Sequence, residues 1–278
     1  MATRTTSKPL LPTAPIALGP FVLERKVGLG GMAEVWRGMH VRQKVPVAIK
    51  VVHAHMAKDP AFVTAFRNEV LSVARLQHPR IIMVLDQGVV DADAEKSSGG
   101  AITAGSPVLA MELATGGTLL DIRPPLDWAT LRATLLAVMD ALAHAHARGV
   151  IHRDLKPNNV LLCTPSDTRQ GIKLSDFGLA CPSDRALDIE REDHIAGTPQ
   201  FMAPEQFRGE WRDYGPWTDL YALGCMAYYF SCGELPFDGT LPQLIEAHLN
   251  QAPPEPLLLG DLPGGLVPWM LRLMEKDP

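Results

Sequence analysis

The sequence is poor in the residues that mark several classes of protein. Among its 278 residues are only four cysteines, and their spacing matches neither a metal-binding motif nor a disulfide framework. No uncharged apolar run approaches the about 20 residues that a membrane-spanning helix needs. The N-terminus also lacks the apolar stretch of a signal peptide. We therefore expect free thiols, no membrane segment and a cytoplasmic location.

The chain also lacks an excess of positive charge. It carries 26 Lys and Arg against 31 Asp and Glu, a formal net charge of -5. Proteins that bind nucleic acid usually present a basic face, so no nucleic-acid partner is expected. The remaining composition, 46% hydrophobic and 21% charged, is typical of a globular protein. A chain of this length can form one large domain or two lobes that share a cleft.

The first half of the chain has a β-rich pattern after an irregular start. Residues 1–19 are rich in Thr, Pro and Ala without any period, which predicts a flexible lead. Apolar alternation then predicts strands, and apolar residues at helical spacing predict one helix between them. The strands are expected at residues 21–27, 35–39, 45–52, 81–85 and 108–111, and the helix at residues 60–76.

A polar segment interrupts this β-rich half. Residues 91–107 are rich in Ser, Gly, Ala and acidic residues, which predicts a long exposed loop. We interpret the segment as a solvated insertion without chemistry.

The second half of the chain is predicted to be mainly helical. A long helix is expected from an N-cap at Asp127 to a C-terminal cap near Gly149, and further helices at residues 218–232, 241–250 and 266–275. The order of elements predicts an α+β fold, with a small β-rich lobe that carries one helix and a larger helical lobe.

A glycine-rich sequence, GLGGMAEV at residues 28–35, lies between two predicted strands. Glycine lets the backbone approach phosphate oxygens closely, and a hairpin of this kind can cover a nucleotide. An ordinary glycine-rich hairpin turn explains the same residues equally well. The motif is not a P-loop, because no Gly-Lys-Ser/Thr follows it.

A lysine ends the apolar sequence VAIK at residues 47–50. Its charge is costly in such a strand unless phosphate oxygens or a carboxylate accompany it. Glu69, in the middle of the following predicted helix, is the candidate carboxylate. Taken alone, the two residues also fit a strand lysine that reaches solvent and a surface glutamate.

Two further sequences decide the interpretation. They are HRDLKPNN at residues 152–159 and KLSDFGLA at residues 173–180. With the motifs above, they make residues 21–278 resemble the eukaryotic-type protein kinases, in particular the serine/threonine branch and its bacterial members. The resemblance implies a bilobal kinase fold, with an N-lobe over residues 20–113 and a C-lobe over residues 114–278.

The resemblance implies transfer of the γ-phosphoryl group of ATP to Ser or Thr of protein substrates, in signalling and with possible autophosphorylation. Asp154 would accept the proton of the substrate hydroxyl, and Lys156 would steady the transferring group. Lys50 would hold the α- and β-phosphates, locked by an ion pair with Glu69.

The resemblance also implies two cofactor sites. Mg²⁺ would be held by Asn159 and Asp176. The residues that would bind ATP are Gly28, Leu29, Gly30, Gly31, Val35, Ala48, Lys50, Met111, Glu112, Ala114 and Leu161.

Other residues take supporting roles in this interpretation. The sequence GTPQFMAPE at residues 197–205 would seat a substrate peptide, with Thr198 bonded to Asp154 and Lys156. Asp219 would brace the backbone of the catalytic loop. We interpret His144 and His146 as ordinary helix-surface or packed residues.

The chain departs from the family pattern in three places. Ala33 stands at the third glycine of the glycine-rich loop, where one methyl should tighten the loop slightly. The activation segment, residues 179–199, offers only Ser183 and Thr198 as hydroxyls. An arginine that usually pairs with Glu205 lies beyond Pro278, which would leave this carboxylate unpaired.

The acidic stretch in the activation segment suggests a substitute for phosphorylation. A carboxylate of Glu190, Glu192 or Asp193 would pair with Arg153, where relatives use a phosphothreonine. A solvated charged loop is the alternative interpretation of the same residues.

Two positions bear on substrate preference. Thr118 and Asn158 stand where kinases that favour upstream arginine often carry Glu, so no strong demand for basic substrates is expected.

Two other functions compete with the interpretation as a protein kinase. A pseudokinase that binds nucleotide without transfer is one alternative. A small-molecule phosphotransferase is the other, although residues 197–205 argue for a peptide substrate.

Overall fold

A computed structural model describes residues 15–177, 198–258 and 261–278 of the chain. The fold is α+β, and the chain divides into two compact units. The first unit comprises Met1–Thr64 and Val84–Leu113, and the second comprises Ala65–Met83 and Ala114–Pro278. Among the described residues, no helix combines the length and the apolar character needed to cross a bilayer.

A six-stranded antiparallel sheet forms most of the first unit, in the order β1-β2-β3-β4-β6-β5. Leu23, Trp36 and Ile49 fill the buried face of this sheet. Gly38 is required there, because a Cβ at this position would lie 2.5 Å from the main-chain oxygen of Val22. The strands are β1 Ile16–Leu18, β2 Phe21–Leu29, β3 Ala33–His40, β4 Val45–Val52, β5 Val84–Val89 and β6 Pro107–Glu112.

Strand β1 lies within the segment that the sequence predicted to be a flexible lead. Ile16 pairs with Leu23 and Leu18 pairs with Phe21, and both β1 side chains are buried in the core. Three residues are too short for a strand period to be visible in the sequence, so only the tertiary contact reveals them. Residues 1–14 of the predicted lead lie outside the described residues.

The predicted exposed loop at residues 91–107 contains a short helix and is anchored to the core of the sheet by a few buried residues. Helix α3, Ala92–Ser97, is capped by Asp91, whose Oδ1 accepts a hydrogen bond from Ala94 N at 2.7 Å. Ala94 and Ile102 are buried in the same core as the sheet residues. These few apolar residues are scattered among polar ones, so the sequence shows no period, and the prediction missed the helix and the buried residues while most of the segment is exposed as predicted.

Two helices follow β4. Helix α1, Ala54–Ala57, is a single turn, and helix α2 spans Pro60–Val73. The sequence predicted α2 to begin at the same proline and to continue to residue 76. Hydrogen bonds from Ala74 N and Leu76 N to Val70 O and Val73 O continue the last turn of this helix irregularly.

The second unit is built on helices and one β-hairpin. Asp127 caps α4 as predicted, because its Oδ1 accepts a hydrogen bond from Thr130 N at 3.0 Å. Gly224 of α6 allows α8 to approach closely, since a Cβ there would lie 2.8 Å from Met274. The elements are α4 Trp128–His146, β7 Val160–Cys163, β8 Gly171–Leu174, α5 Pro204–Arg208, α6 Pro216–Cys232, α7 Leu241–Asn250 and α8 Leu266–Leu273.

The sequence predicted these helices closely. Helix α7 has the predicted bounds, α6 begins two residues earlier than predicted, and α8 ends two residues earlier. Gly149 adopts a left-handed φ of 71° shortly after α4, as expected for a residue that ends a helix. Cys225 and Cys232 are buried thiols, and burial raises the pKa of Cys225 to about 12.

Candidate active site

The glycine-rich turn connects β2 to β3 in the first unit. Leu29 and Glu34 are the last paired residues, and Gly30 N donates a hydrogen bond to Ala33 O at 2.9 Å. A Cβ at Gly31 would meet no protein atom within 4 Å, so packing within the protein does not require glycine there. Leu29 at the tip is 76% exposed. An exposed turn with a bare backbone suits close contact with a ligand.

The sheet register brings the predicted nucleotide residues of the first unit to one face. Val35 is paired with Lys50, and Ala48 is paired with Met111. Directly opposed residues share a face, and so do residues two apart on one strand. Val35, Ala48, Lys50 and Met111 therefore lie together on the face opposite to Ile49. Gly28, paired with Val35, continues the same row.

The catalytic loop of the second unit is organised around the carboxylate of Asp154. Lys156 Nζ lies 2.9 Å from Oδ1 and 2.8 Å from Oδ2 of this carboxylate. Asn159 Nδ2 donates to Oδ2 at 3.0 Å and to the main-chain oxygen of Asp154 at 2.7 Å. Two residues within six positions of the chain, Lys156 and Asn159, thus fix this carboxylate and place an ammonium group beside it.

The buried carboxylate of Asp219 holds the backbone of this loop, as the sequence predicted. It accepts hydrogen bonds from His152 N and Arg153 N, each at 2.8 Å. Gln206 Nε2 donates to Arg153 O at 2.7 Å from the other side. Arg153 has a positive φ of 65°, a backbone conformation that is unfavourable for a residue other than glycine. These hydrogen bonds stabilise that conformation.

His146 has a role that the sequence did not reveal. Its Nε2 atom lies 2.7 Å from Asp219 Oδ2, so it is a third partner of the carboxylate that holds the catalytic loop. The interpretation of His146 as an ordinary packed residue missed this contact, because its partner lies 73 positions away in the sequence. His144 packs against the ring of His78 with a centroid distance of 4.7 Å.

The predicted metal ligands lie on adjoining segments of the second unit. Ser175 N donates a hydrogen bond to Asn159 O at 2.9 Å. Asp176 is the next residue after Ser175, so it lies close to the backbone of Asn159. Asp176 has a positive φ of 58°, and Phe177 packs its ring against His152 at 4.5 Å. The side-chain nitrogen of Asn159 is engaged with Asp154, so its amide oxygen is the atom available to a cation. Amide and carboxylate oxygens are the donors that Mg²⁺ prefers, so these residues fit that ion.

Glu69 contacts Arg153 within the second unit. Its Oε1 atom lies 3.5 Å from Arg153 Nη1. Burial raises the pKa of Glu69 to about 8, and the charge of Arg153 opposes this increase. The predicted partner of Glu69, Lys50, belongs to the first unit, and their ion pair stays a prediction. The predicted phosphate substitutes Glu190, Glu192 and Asp193, like Ser183, lie outside the described residues.

The segment predicted to seat a substrate peptide is described from Thr198 onward. Gln206 Oε1 accepts a hydrogen bond from Ala203 N at 3.0 Å. The buried carboxylate of Glu205 accepts a hydrogen bond from Thr218 Oγ1 at 2.6 Å. A hydroxyl group of α6 thus satisfies one oxygen of Glu205, whereas the expectation that this carboxylate lacks its arginine partner stays a prediction. The contacts of Thr198 with the catalytic loop stay a prediction.

The remaining predicted nucleotide residues lie where β6 ends and on the β7–β8 hairpin. Glu112 is the last residue of β6 and is buried, and Ala114 begins the second segment of the second unit. Leu161 is half-buried on β7 and forms an isolated bridge with Thr118. The hydrogen bond from Gly116 N to Leu162 O at 2.8 Å ties the segment after Ala114 to this hairpin. Their contacts with adenine stay predictions.

Comparison with known proteins agrees with this arrangement. The family model described as the protein kinase domain matches residues 21–254. Serine/threonine-protein kinase Pkn1 of Myxococcus xanthus is 36% identical over 96% of this chain and 37% of that protein. PknL of Mycobacterium bovis is 37% identical over 79% of this chain and 51% of that protein. PknB of Mycolicibacterium smegmatis is 34% identical over 91% of this chain and 39% of that protein.

These relatives are longer than the chain, which spans about a third to a half of their length. The match nevertheless covers both described units and includes the catalytic loop. Proteins of the matched family use ATP with a divalent metal ion and act on protein substrates. On its sequence, its fold and the geometry around Asp154, the chain belongs to the protein kinase family.

Proposed function

We propose that the protein is an active, Mg²⁺-dependent serine/threonine kinase that transfers the γ-phosphoryl group of ATP to hydroxyl groups of other proteins. The observation that carries this proposal is the fixed carboxylate of Asp154, with Lys156 and Asn159 bonded to it. The names of the relatives support the choice of serine and threonine as acceptors. We further propose that the protein acts in the cytoplasm and phosphorylates itself.

Asp154 orients the acceptor and receives its proton. The hydroxyl oxygen of the substrate forms a bond to the γ-phosphorus while the bond to the β-phosphate oxygen breaks, and ADP leaves. The hydroxyl proton moves to the Asp154 carboxylate. Because Lys156 and Asn159 hold both oxygens of this carboxylate, its position is set before the substrate arrives.

The neighbouring residues supply charge and geometry. The Lys156 ammonium, within 3 Å of Asp154, neutralises negative charge on the transferring group. The amide oxygen of Asn159 and the carboxylate of Asp176 would hold Mg²⁺, which neutralises phosphate charge when bound. The hydrogen bonds of Asp219 keep the loop backbone in one conformation, so little reorganisation is needed during the reaction.

Substrate selection is expected to depend little on basic residues upstream of the acceptor. Thr118 donates its hydroxyl and its main-chain N–H to Asp121 Oδ2, at 3.0 and 2.7 Å. These bonds lower the pKa of Asp121 and keep its carboxylate occupied within its own turn. A peptide array in which upstream arginine dominates would contradict this expectation.

The test is phosphate incorporation from γ-labelled ATP with Mg²⁺, alone and with myelin basic protein. The wild type should label the acceptor, and Asp154→Asn should lose about 10²–10⁴ in rate because the proton acceptor is gone. Phosphosite mapping would then identify any residues that the protein modifies on itself. Asn is close in shape to Asp, so circular dichroism should show an unchanged fold.

Three outcomes would contradict the proposal. Equal incorporation by Asp154→Asn would show that another group accepts the proton. No incorporation by the wild type, together with Mg²⁺-dependent ATP binding, would indicate a nucleotide-binding module without transferase activity. Labelling of tyrosine alone would overturn the choice of serine and threonine.

A further inference from the structure

The first unit contains a cavity of about 650 Å³ that the proposed transfer reaction does not use. Its walls come from the end of β4, from helix α1 and from residues 101–106, and Gly31 of the glycine-rich turn also lines it. The volume lies within the range of small-molecule sites, about 300–1,000 Å³. The cavity is therefore large enough for an organic ligand.

One wall is the segment that the sequence predicted to be a solvated loop. Ile102 N donates to Ser98 Oγ at 3.3 Å, and Gly105 N donates to Val90 O at 2.8 Å. Val90 N donates in turn to Ser106 O at 2.9 Å. These bonds and the burial of Ile102 fix the wall in one shape, so the cavity is a preformed feature of the unit.

A buried hydroxyl group in this wall lacks a protein partner. Ser106 is 1% exposed and lines the cavity, yet its Oγ atom forms no hydrogen bond with any described residue. Buried polar groups are nearly always hydrogen-bonded, because leaving one unsatisfied costs free energy. A ligand in the cavity would supply the missing partner.

The other polar groups of the lining indicate an anionic ligand. Lys58 and His55 offer N–H donors. The only carboxylate among the lining residues, that of Glu34, already binds the Lys26 ammonium and accepts a hydrogen bond from Trp36 Nε1 at 2.6 Å. The lining residues therefore include hydrogen-bond donors, and their one carboxylate is already bound by other residues. The buried apolar residue Ile102 suits the organic part of the ligand.

The cavity is connected to the glycine-rich turn through His53. The His53 Nε2 atom lies 2.9 Å from Gly30 O, and its main-chain N donates to Met32 O at 2.9 Å. Gly30 O can only accept, so Nε2 carries the hydrogen in this bond. His53 and Gly31 both line the cavity, so a ligand there would contact the turn and the residue that holds it.

We propose that this cavity is a regulatory site for a small organic phosphate, which changes nucleotide affinity by acting on the glycine-rich turn through His53. The binding site stands on the cavity itself, whereas the regulation rests on the proposed function of the turn. Phosphate oxygens would accept hydrogen bonds from Ser106, His55 and Lys58. By thermodynamic linkage, nucleotide must change the affinity for the phosphate by the same factor.

Phenyl phosphate is the probe for binding, with phenol as its uncharged control, titrated calorimetrically into the 278-residue chain. Ser106→Ala and Lys58→Gln should each weaken phenyl phosphate binding by about tenfold, because each removes one hydrogen bond to a charged acceptor. Ser106→Ala should also leave thermal stability unchanged or raised, since an unsatisfied buried group is removed. Arg42→Gln, an exposed charge outside the cavity, should bind phenyl phosphate like the wild type.

Failure of binding would be distinct from failure of the kinase proposal. Kinase activity without phenyl phosphate binding, or binding that Ser106→Ala and Lys58→Gln leave unchanged, would overturn the site. Cavity binding in a protein without transferase activity would support the site and overturn the proposed function. Regulation requires that phenyl phosphate changes the Kd of a non-hydrolysable ATP analogue, and an unchanged Kd would overturn it.

Discussion

The two units of the protein position their functional residues by different means. In the first unit, Val35, Ala48, Lys50 and Met111 share a face because strand register places them there, and an apolar core supports the sheet from the other face. In the second unit, side-chain hydrogen bonds to the backbone hold the catalytic loop. The carboxylate of Asp219 alone binds two consecutive main-chain N–H groups and His146.

This difference follows from what each part is expected to do. A turn that covers a nucleotide must open and close, so an exposed glycine-rich hairpin on a rigid sheet is suitable. A loop that positions a proton acceptor must keep one conformation, including the positive φ of Arg153. A buried, fully bonded acid can hold a backbone in this way without regular secondary structure. Substitutions should therefore affect the two units unequally.

The largest effect is expected at Asp219. Asp219→Ala leaves the buried N–H of His152 and the part-buried N–H of Arg153 without an acceptor, so the free energy of unfolding should fall by about 3 kcal/mol. Phosphate incorporation should fall strongly as well, because the loop that carries Asp154 loses its support. Urea unfolding and kinase assays measure both effects.

Asp238→Ala is the matched control, since Asp238 is exposed and bonds only Gly239 N within its own turn among the contacts of the described residues. The control should stay within about 0.5 kcal/mol of the wild type. Equal losses in the two variants would show that Asp219 has no special role in the loop.

His248 should make the second unit sensitive to acid. It is buried, and its Nδ1 atom lies 2.9 Å from Tyr221 Oη. Burial, followed by the charge of Lys276, lowers its pKa from 6.5 to about 3. The unfolded chain therefore binds a proton at higher pH than the folded chain, and stability should fall as the pH falls from 6.5 towards 3.

Replacement of this histidine should weaken the pH dependence. His248→Gln is expected to reduce the slope of unfolding free energy against pH below 6.5, whatever its effect on stability at neutral pH. His40→Gln controls for loss of a histidine in the first unit. If His248→Gln and the wild type show the same slope, then the folded protein tolerates the charged imidazole.

Glu69 should show the opposite dependence on pH. Burial raises its pKa from 4.5 to about 8, so the folded chain keeps a proton that the unfolded chain has lost. Stability should therefore decrease as the pH rises from 4.5 to 8, and Glu69→Gln should be more stable than the wild type at pH 8. The same variant should be less active if the predicted ion pair with Lys50 forms. A variant that is both less stable and fully active at pH 8 would contradict these expectations.

The smallest effect on stability is expected at the tip of the glycine-rich turn. Leu29 is 76% exposed, so Leu29→Ser should change unfolding free energy by less than about 0.5 kcal/mol. The KM for ATP should nevertheless rise about two- to fivefold, because apolar contact with the nucleotide is lost. Val41→Ser, at the exposed turn between β3 and β4, should change neither quantity. An unchanged KM for ATP in Leu29→Ser would show that Leu29 does not contact the nucleotide.

The local sequence was sufficient to predict features that form within one short segment of the chain. The bonds among Asp154, Lys156 and Asn159 lie within six residues, and the strand that carries Lys50 has the predicted bounds, Val45–Val52. Sequence was not sufficient for contacts between distant positions. His146, the hydroxyl partner of Glu205 and the packed segment at residues 91–107 all depend on neighbours that folding brings together.

The sequence by itself determined the family, the order of the longer strands and helices, and the residue types available for phosphoryl transfer, because motif spacing and apolar periodicity are local properties. Only the tertiary structure decided which buried groups meet. It placed His146 against Asp219, Glu69 beside Arg153, and an unsatisfied Ser106 in the wall of a cavity. Burial and hydrogen bonding between distant residues depend on the packing of the whole chain, which no local pattern records.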